Sequence, residues 1–594
     1  MNSEAKTCQN CKNEFVIEPE DFNFYEKIKV PPPTWCWKCR AMRRMAFRNM
    51  RHMYVRNCDA TGKKIYTLMP PGSPMPVYSD DYWRSDKWDP MDYGREYDFS
   101  RPFFEQIREL YNTVPWGTMW SMEKVNSDFS FTAYSKNCYL CFDSGYIEDS
   151  AYSVTLLYSK NCFDIINVKD CEFCYYCINT SQSYKTFFSR NCASCVEVWF
   201  SQDCVGCNNC FGCSGLRNKS YCIFNKQYDR ETYKAKLTEM KLNTWSGIQS
   251  ARKLAQDFWK KSPVKYFHGV KALRSSGDYL YNCTELINCF FAGNAQNMRH
   301  CQSVIFPPNK DSMDITSCEG TDLAYEILAG GHGVHKTLGC AECANVSDSA
   351  YAINCRFVST VFGCVAVKSK SYCILNKQYS KEEYFELLPK IRNHMDEMPY
   401  VDVKGREYRY GDFFPFDMSP FGYSQTQAFE YFQLNEEEAK KQGLRWREKE
   451  KRDYTITKRA NELPDDINSV DDKVMEGVIE CAHSADSAHI AGCDIDCATA
   501  FRITKQELDF YRKFELPLPR LCFNCRHVDR VQWRNIPALY HRRCMCLSGQ
   551  GSGYKNVATH FHGQDPCPNE FQTSYAPGRP EIVYCEKCYQ AEVV

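Results

Sequence analysis

The 594 residues carry 74 lysines and arginines against 74 aspartates and glutamates, so no net field draws the chain to nucleic acid or to a membrane surface. The length allows several domains. Cysteine is the outlier, at 37 residues, and density of that kind marks either a secreted disulfide scaffold or a set of metal sites. The stretch from Met1 to Cys8 has no apolar core of the signal-peptide type, and no apolar run is long enough to span a membrane. The expectation is a cytoplasmic protein with reduced thiols that bind metal.

Residues 1–125 read as an N-terminal zinc-ribbon module. Cys8-x2-Cys11 and Cys36-x2-Cys39 are two knuckles, each offering two thiolates from one turn, and together they complete a tetrahedral S4 shell. Pro31 to Pro33 stiffen the approach to the second knuckle. After Cys39, arginines 40, 44, 48 and 51 fall on one helical face with Arg43 beside them. A basic helix leaving a zinc knuckle suits phosphate contacts; the alternatives are a solvated face or arginines paired to local acids. Cys58 opens a degenerate second knuckle, with Ser79 and Tyr82 where two cysteines would stand. Pro102 to Tyr111 reads as a short helix with Ser100 as its N-cap.

From 126 to 228 the chain repeats. Thirteen cysteines from Cys138 to Cys222 all carry numbers divisible by three. Tyr134-Ser-Lys-Asn-Cys138 recurs at Tyr158, Phe188 and Phe200, at offsets that are multiples of six. Fixed short periods mark solenoids, so the reading is a β-solenoid built from units of about six residues, with the cysteines stacked inside as a ladder. Cysteine suits a narrow interior because it is small and apolar. The other reading is metal at CxxCxxC runs such as Cys171, Cys174 and Cys177, or Cys204, Cys207, Cys210 and Cys213.

A helical cap or linker follows over 229–264, and a second Cys-repeat solenoid over 265–379. Eight of its cysteines share one three-residue phase, and Cys318 is out of phase. The segment from Gly330 to His335 looks like an excursion. Both bodies end alike, in Ser220-Tyr-Cys-Ile-Phe-Asn-Lys-Gln-Tyr228 and Ser371-Tyr-Cys-Ile-Leu-Asn-Lys-Gln-Tyr379. Each ending precedes a helix that would cover the open strand edge. Residues 380–465 form a helical connector, in which Phe413 to Tyr423 reads as an apolar strap and Glu436 to Lys451 as a charged helix.

Residues 466–594 read as a C-terminal double zinc-ribbon module. The intervals between cysteines 11, 36, 39 and 58 recur between 497, 522, 525 and 544. The expected ligands are Cys493, Cys497, Cys522 and Cys525 for one ion, with Cys481 as an alternative. For a second ion they are Cys544, Cys546, Cys585 and Cys588, with His560, His562 and Cys567 as substitutes. Arg526, Arg530 and Arg534 repeat the basic helix. About three Zn2+ per chain are expected at four ligands each. The Pro-Pro-Pro-x-x-Cys36-x2-Cys39-Arg40 knuckle, Trp83-x-Ser-Asp-Lys-Trp88-Asp-Pro, the Asn-Cys repeats ending in Asn225-Lys-Gln-Tyr228, and Ser574-Tyr-Ala-Pro-x-Arg-Pro-Glu-Ile-Val-Tyr-Cys585 carry a resemblance. With them the chain resembles a zinc-ribbon, Asn-Cys-repeat family of candidate-phyla-radiation bacteria. The resemblance implies no particular activity.

The fold expectation is therefore mainly β: two cysteine-ladder β-solenoids with helical caps, flanked by zinc ribbons. No phosphate loop, dinucleotide fingerprint, H-E-x-x-H or G-x-S-x-G stands in the sequence. Three functions compete. The first is a non-enzymatic zinc-binding scaffold for a protein partner. The second is an RNA- or DNA-binding protein using Arg40, Arg43, Arg44, Arg48, Arg51, Arg526, Arg530 and Arg534. The third is a solenoid enzyme with an acidic groove drawing on Asp143, Glu148, Asp149 or Asp164.

Overall fold

The computed structural model describes residues 2–119, 121–304, 306–317, 319–331, 333–448, 454–485, 496–546 and 554–593; Cys318, His332 and Cys493 lie outside them. The chain forms two compact units. One combines Met1–Met119 with Phe267–Arg447 and Ile536–Leu539; the other combines Trp120–Tyr266 with Glu448–Asn535 and Tyr540–Val594. The N-terminal ribbon module thus shares a unit with the second solenoid, and the C-terminal module with the first.

Each solenoid is a stack of parallel coils. In the first, Ile166 pairs with Ile178, Ile178 with Arg190, Arg190 with Gln202 and Gln202 with Ser214, a step of 12 residues per coil. From Tyr134 to Phe224 every third residue has positive φ, and only positions 206, 212 and 215 are glycine. A coil therefore has four sides of three residues, each turned by one left-handed residue. The repeat unit is three residues rather than about six, and both Tyr134 and Asn137 of the recurring motif are corners.

Left-handed backbone costs most side chains about 1–2 kcal/mol and asparagine or aspartate least. Asn137, Asp149, Asn161, Asp164, Asn167, Asn179, Asn191 and Asp203 all stand at corners. Their side chains recover part of the cost by bonding coil to coil. Asn167 Nδ2 donates to Asn179 Oδ1 at 2.8 Å, Asn179 to Asn191 at 3.2 Å, and Asn191 to Asp203 at 3.0 Å. Tyr134, Tyr146 and Tyr158 stack at another corner, with centroids 4.6 and 4.8 Å apart.

The residue after each corner points inward, and its chemistry follows from its own amide. The inward N–H donates to a side chain one coil earlier. Cys162 N reaches Ser150 Oγ at 3.1 Å, Cys171 N reaches Ser159 Oγ at 3.0 Å, Ser201 N reaches Ser189 Oγ at 3.0 Å, and Cys213 N reaches Ser201 Oγ at 3.1 Å. Cysteine takes the same part where Ser183 N donates to Cys171 Sγ at 3.3 Å. Its thiol in turn donates to carbonyls lining the interior, as Cys177 does to Tyr175 O and Thr186 O. A small side chain that accepts and donates is what the narrow interior requires, because a buried unpaired N–H costs about 1–3 kcal/mol. Burial pushes the Cys177 thiol up to about 12, so it stays protonated.

The second solenoid repeats this geometry with insertions. Thr284 pairs with Gln296, but Met298 pairs with Ser312 and Tyr325 with Leu338. Of the segment read as an excursion, His335 opens the strand His335–Leu338, which pairs with Ala344–Ala350, and Val334 is buried in the interior. The interior is more aliphatic, with Leu280, Leu286, Met298, Val346, Val358 and Val361 among the cysteines.

Both bodies close on a hairpin, Ser220–Ile223 with Lys226–Gln227 and Ser371–Ile374 with Lys377–Gln378. Asn225 Oδ1 accepts from Ser214 N at 2.9 Å and its Nδ2 donates to Ser214 O at 2.8 Å. Asn376 does the same to Val365, at 2.8 and 2.9 Å. The amide side chain replaces the backbone of a further coil and ends the edge. Helices then cover it. The first body has two, Arg230–Glu239 and Trp245–Trp259, rather than one continuous stretch; the second has Lys381–Glu397. Tyr233 packs edge-on against Tyr221, and Tyr384 against Tyr372.

In the first unit, Phe413 and Phe414 are fully buried as a strap. Phe413 meets Phe47, Phe414 meets Tyr351, and Gly411 N donates to Tyr351 Oη at 2.9 Å. The charged helix is shorter than the sequence suggests, Glu436–Lys441, and residues 449–453 lie outside the described set. The early helix runs Phe103–Thr113 with Pro102 at its N-cap, while Ser100 bonds Asp98 instead.

Candidate metal centres

Among the described residues, three or more side chains able to ligate a metal gather in four places. All four lie in the terminal modules and none in the ladders. The same local structure builds each knuckle pair. A hairpin presents the first cysteines, and the second pair starts a helix, where the dipole favours thiolate charge.

In the N-terminal module the sulfurs of Cys8, Cys11, Cys36 and Cys39 lie within 4.8 Å of one another. Cys36 is the N-cap of the helix Trp37–Met45, and its N–H donates to Cys8 Sγ at 3.3 Å. Cys11 and Cys36 sulfurs are 3.8 Å apart. Tetrahedral Zn–S bonds of about 2.3 Å give an S–S edge of about 3.8 Å, so the spacing fits that ion.

In the C-terminal module Cys481, Cys497, Cys522 and Cys525 form the equivalent quartet, all buried. Cys522 is the N-cap of the helix Phe523–Val531, and its N–H donates to Cys481 Sγ at 3.2 Å. Cys481 therefore stands where Cys8 stands. Cys493, the expected ligand, lies outside the described residues. Cys481, named as the alternative, takes part because the hairpin strands Ile479–Glu480 and Ala500–Phe501 place it directly after the first strand, as Cys8 follows Thr7, across a longer insert than in the N-terminal module.

The second C-terminal quartet is Cys544, Cys567, Cys585 and Cys588. Cys546 is not in it; with His560, His562 and Cys588 it belongs to a neighbouring group. The hairpin explains the exchange. Arg543 pairs with Glu570 and Cys544 N donates to Asn569 O at 3.1 Å, so Cys567, two residues before Asn569, takes the place that Cys11 has two residues before Asn13, while Cys546 runs on into the insert. Cys585 N donates to Cys544 Sγ at 3.2 Å.

The degenerate N-terminal copy keeps that frame without the ligands. Asn57 pairs with Lys64, so Thr61 takes the place of Cys567. Ser79 N donates to Cys58 Sγ at 3.3 Å, as Cys585 does to Cys544. Ser79 and Tyr82 then stand at the positions of Cys585 and Cys588, leaving one sulfur of four.

The arginines expected to contact phosphate are placed differently. Arg40, Arg43, Arg44 and Arg48 are buried in the first unit, against acids at solenoid corners. Arg40 Nε lies 2.6 Å from Asp314, Arg44 3.4 Å from the same carboxylate, Arg43 2.7 Å from Glu326 and Arg48 3.5 Å from Glu342. Arg51 pairs with Glu430 at 3.1 Å. In the second unit Arg526 and Arg530 both reach Asp164 at 2.9 Å, and Arg526 also faces Glu507. Arg534 is partly buried. The basic helices are clamps between ribbon and solenoid, not exposed phosphate-binding faces. Asp164 is thereby committed to two guanidiniums and lines no open groove; Glu148 pairs with Lys136, and Asp149 accepts from Asn137.

No helix among the described residues is long and apolar enough to cross a membrane. No family model matches the chain, and no curated protein matches it. Among solved structures it is similar to a protein of Desulfovibrio desulfuricans G20 described as an acetyltransferase. The identity is 10%, the match covers 48% of this chain and 85% of that one, and the TM-score is 0.11, too low to carry an argument about function.

Proposed function

We propose that the chain is a non-catalytic, zinc-binding scaffold of the cytoplasm that presents solenoid faces to a protein partner. The observation that supports this best is the closed form of the sulfur quartets. Each offers four protein ligands, three or more of them buried in the quartets that begin with Cys8 and Cys481, with no position left for water or substrate. Sulfur-only shells favour zinc over the oxygen-seeking cations. The resemblance to a zinc-ribbon family agrees with this reading.

A partner surface is available on the first solenoid. Tyr134, Tyr146 and Tyr158 stand half exposed beside the Lys136–Glu148 and Lys160–Glu172 pairs, along an open groove of about 950 Å³. Repeated tyrosines with mixed charge suit protein recognition. The test is affinity capture from the native host with the wild-type chain and with Tyr146→Ser, together with metal analysis of the purified protein. A partner lost on substitution, and zinc in every quartet, is the expected result. A zinc-free protein that stays folded would sink the reading.

A further inference from the structure

The third quartet leaves Cys546 outside, yet its sulfur is engaged. Cys546 Sγ lies 3.3 Å from His562 Nε2, and Cys588 Sγ lies 3.5 Å from the same nitrogen. The ligand atoms of Cys546, His560, His562 and Cys588 all lie within 4.8 Å of one another. Cys588 belongs to this group and to the quartet with Cys544, Cys567 and Cys585. Two tetrahedral ions have eight ligand positions, and seven side chains fill them when one thiolate is shared.

We propose that the C-terminal ribbon holds a binuclear zinc centre bridged by Cys588, one ion on Cys544, Cys567 and Cys585 and the other on Cys546, His560 and His562. The proposal rests on the zinc-scaffold reading and adds one ion to it. The spacings fit. Zn–S near 2.3 Å and Zn–N near 2.0–2.1 Å give tetrahedral edges of about 3.8 Å between sulfurs and about 3.6 Å between sulfur and nitrogen. Cys567 Sγ is 4.0 Å from Cys585 Sγ and 3.8 Å from Cys588 Sγ.

The imidazoles are prepared as ligands. His560 Nε2 lies 2.9 Å from Glu592 Oε1, which leaves Nδ1 buried with no hydrogen-bond partner. The His560 side chain is 2% exposed, so water does not serve that nitrogen. Glu592 is itself held by Val557 N at 3.0 Å, Ala558 N at 3.1 Å and Tyr554 Oη at 2.7 Å. His562 Nδ1 lies 2.7 Å from Asp565 O, which turns Nε2 to the sulfurs. A carboxylate or carbonyl on one ring nitrogen, with the other aimed at the site, is the outer shell that metal-bound histidines carry. An orphaned buried nitrogen costs about 1–3 kcal/mol unless a metal takes it.

The N-terminal copy has no room for this. Its hairpin closes directly between Asn57 and Lys64, while the C-terminal hairpin carries the whole segment from Cys544 to Asn569 between its strands. The second ion is thus a property of the insert.

The experiment uses the full chain, purified with zinc, analysed by mass spectrometry for metal, and then exchanged to 113Cd for NMR. The expected content is four ions per chain, falling to three in His562→Gln and in His560→Gln. Two of the cadmium resonances should be split by coupling through the shared sulfur, and His562→Gln should abolish the splitting. Three ions in the wild type with no coupled pair would overturn the binuclear centre and leave the scaffold reading intact. Empty quartets would overturn both. Because the coupling is read on the wild-type protein, the result does not depend on the variants folding.

Discussion

Replacing Asp164 by asparagine tests how the C-terminal ribbon is joined to the first solenoid. Asp164 has no exposed surface and sits between Arg526 and Arg530, both at 2.9 Å, whose side chains are 3% and 0% exposed. The amide would keep the volume and lose the charge. Arg526 retains Glu507 at 3.5 Å, so the orphaned cation is Arg530, stacked on Tyr176 with nowhere to hydrate. Removing one partner of a buried pair costs about 3–5 kcal/mol, and here one carboxylate serves two cations, so the upper half of that range is expected. Because the chain has two units, a single unfolding midpoint would mislead. Hydrogen exchange followed by mass spectrometry reads each ladder separately: protection of 126–228 and 496–535 should fall together by about three powers of ten, while 265–379 is unchanged. Adding Arg530→Met to Asp164→Asn should restore much of the loss, since an apolar side chain needs no counter-charge. A cost below about 1 kcal/mol, or no rescue, would refute the clamp.

Four further outcomes are expected. Ser189→Ala should leave the Ser201 N–H without its acceptor at 3.0 Å and cost about 1–3 kcal/mol, with faster exchange at that amide, whereas Ser189→Cys should be milder because sulfur still accepts. Asn376→Ala should fray the last coil of the second body by about 2–3 kcal/mol, losing the paired bonds to Val365 and a residue at ease with φ 61, and proteolysis near 371–379 would report it. Chelation should make only the terminal-module thiols reactive to an aromatic disulfide reagent. The ladder thiols should stay silent, since the described ladder cysteines are all buried away from the reagent. Finally, burial holds the His300 imidazole, stacked on Trp37, down to about 4. The unfolded chain takes up that proton near 6.5, so the contribution is complete above about 6.5 and is lost as pH falls toward 4. It amounts to at most about 3 kcal/mol, discounted because the ring is partly exposed. His300→Gln should flatten the pH 6.5–4 slope of first-unit stability in denaturant titrations.

The architecture was legible because a solenoid writes its period into the chain. Thirteen cysteines in one phase place one inward residue in every three, and the twin Asn-Lys-Gln-Tyr endings mark both caps. The count of residues per coil was not legible, since three and six both divide the motif offsets while twelve fails at the step from Tyr158 to Phe188; the left-handed residue at every third position, a backbone fact, selects three-residue sides, and the strand register selects 12-residue coils. Nor did the sequence explain why serine alternates with cysteine inside, which depends on where each inward N–H finds its acceptor.

The metal ligands divide the same way. CxxC spacing alone identifies Cys8, Cys11, Cys36 and Cys39, because all four lie in two tight turns. The C-terminal sets interrupt that spacing with inserts, so hairpin register decides that Cys481 and Cys567 take part and that Cys546 turns to the histidines. The arginine helices show the limit most plainly. A basic face reads identically in sequence whether it meets phosphate or carboxylate. Its partners Asp314, Glu326 and Asp164 lie hundreds of residues away, and only the folded chain brings those corner acids under the guanidiniums and shuts water out.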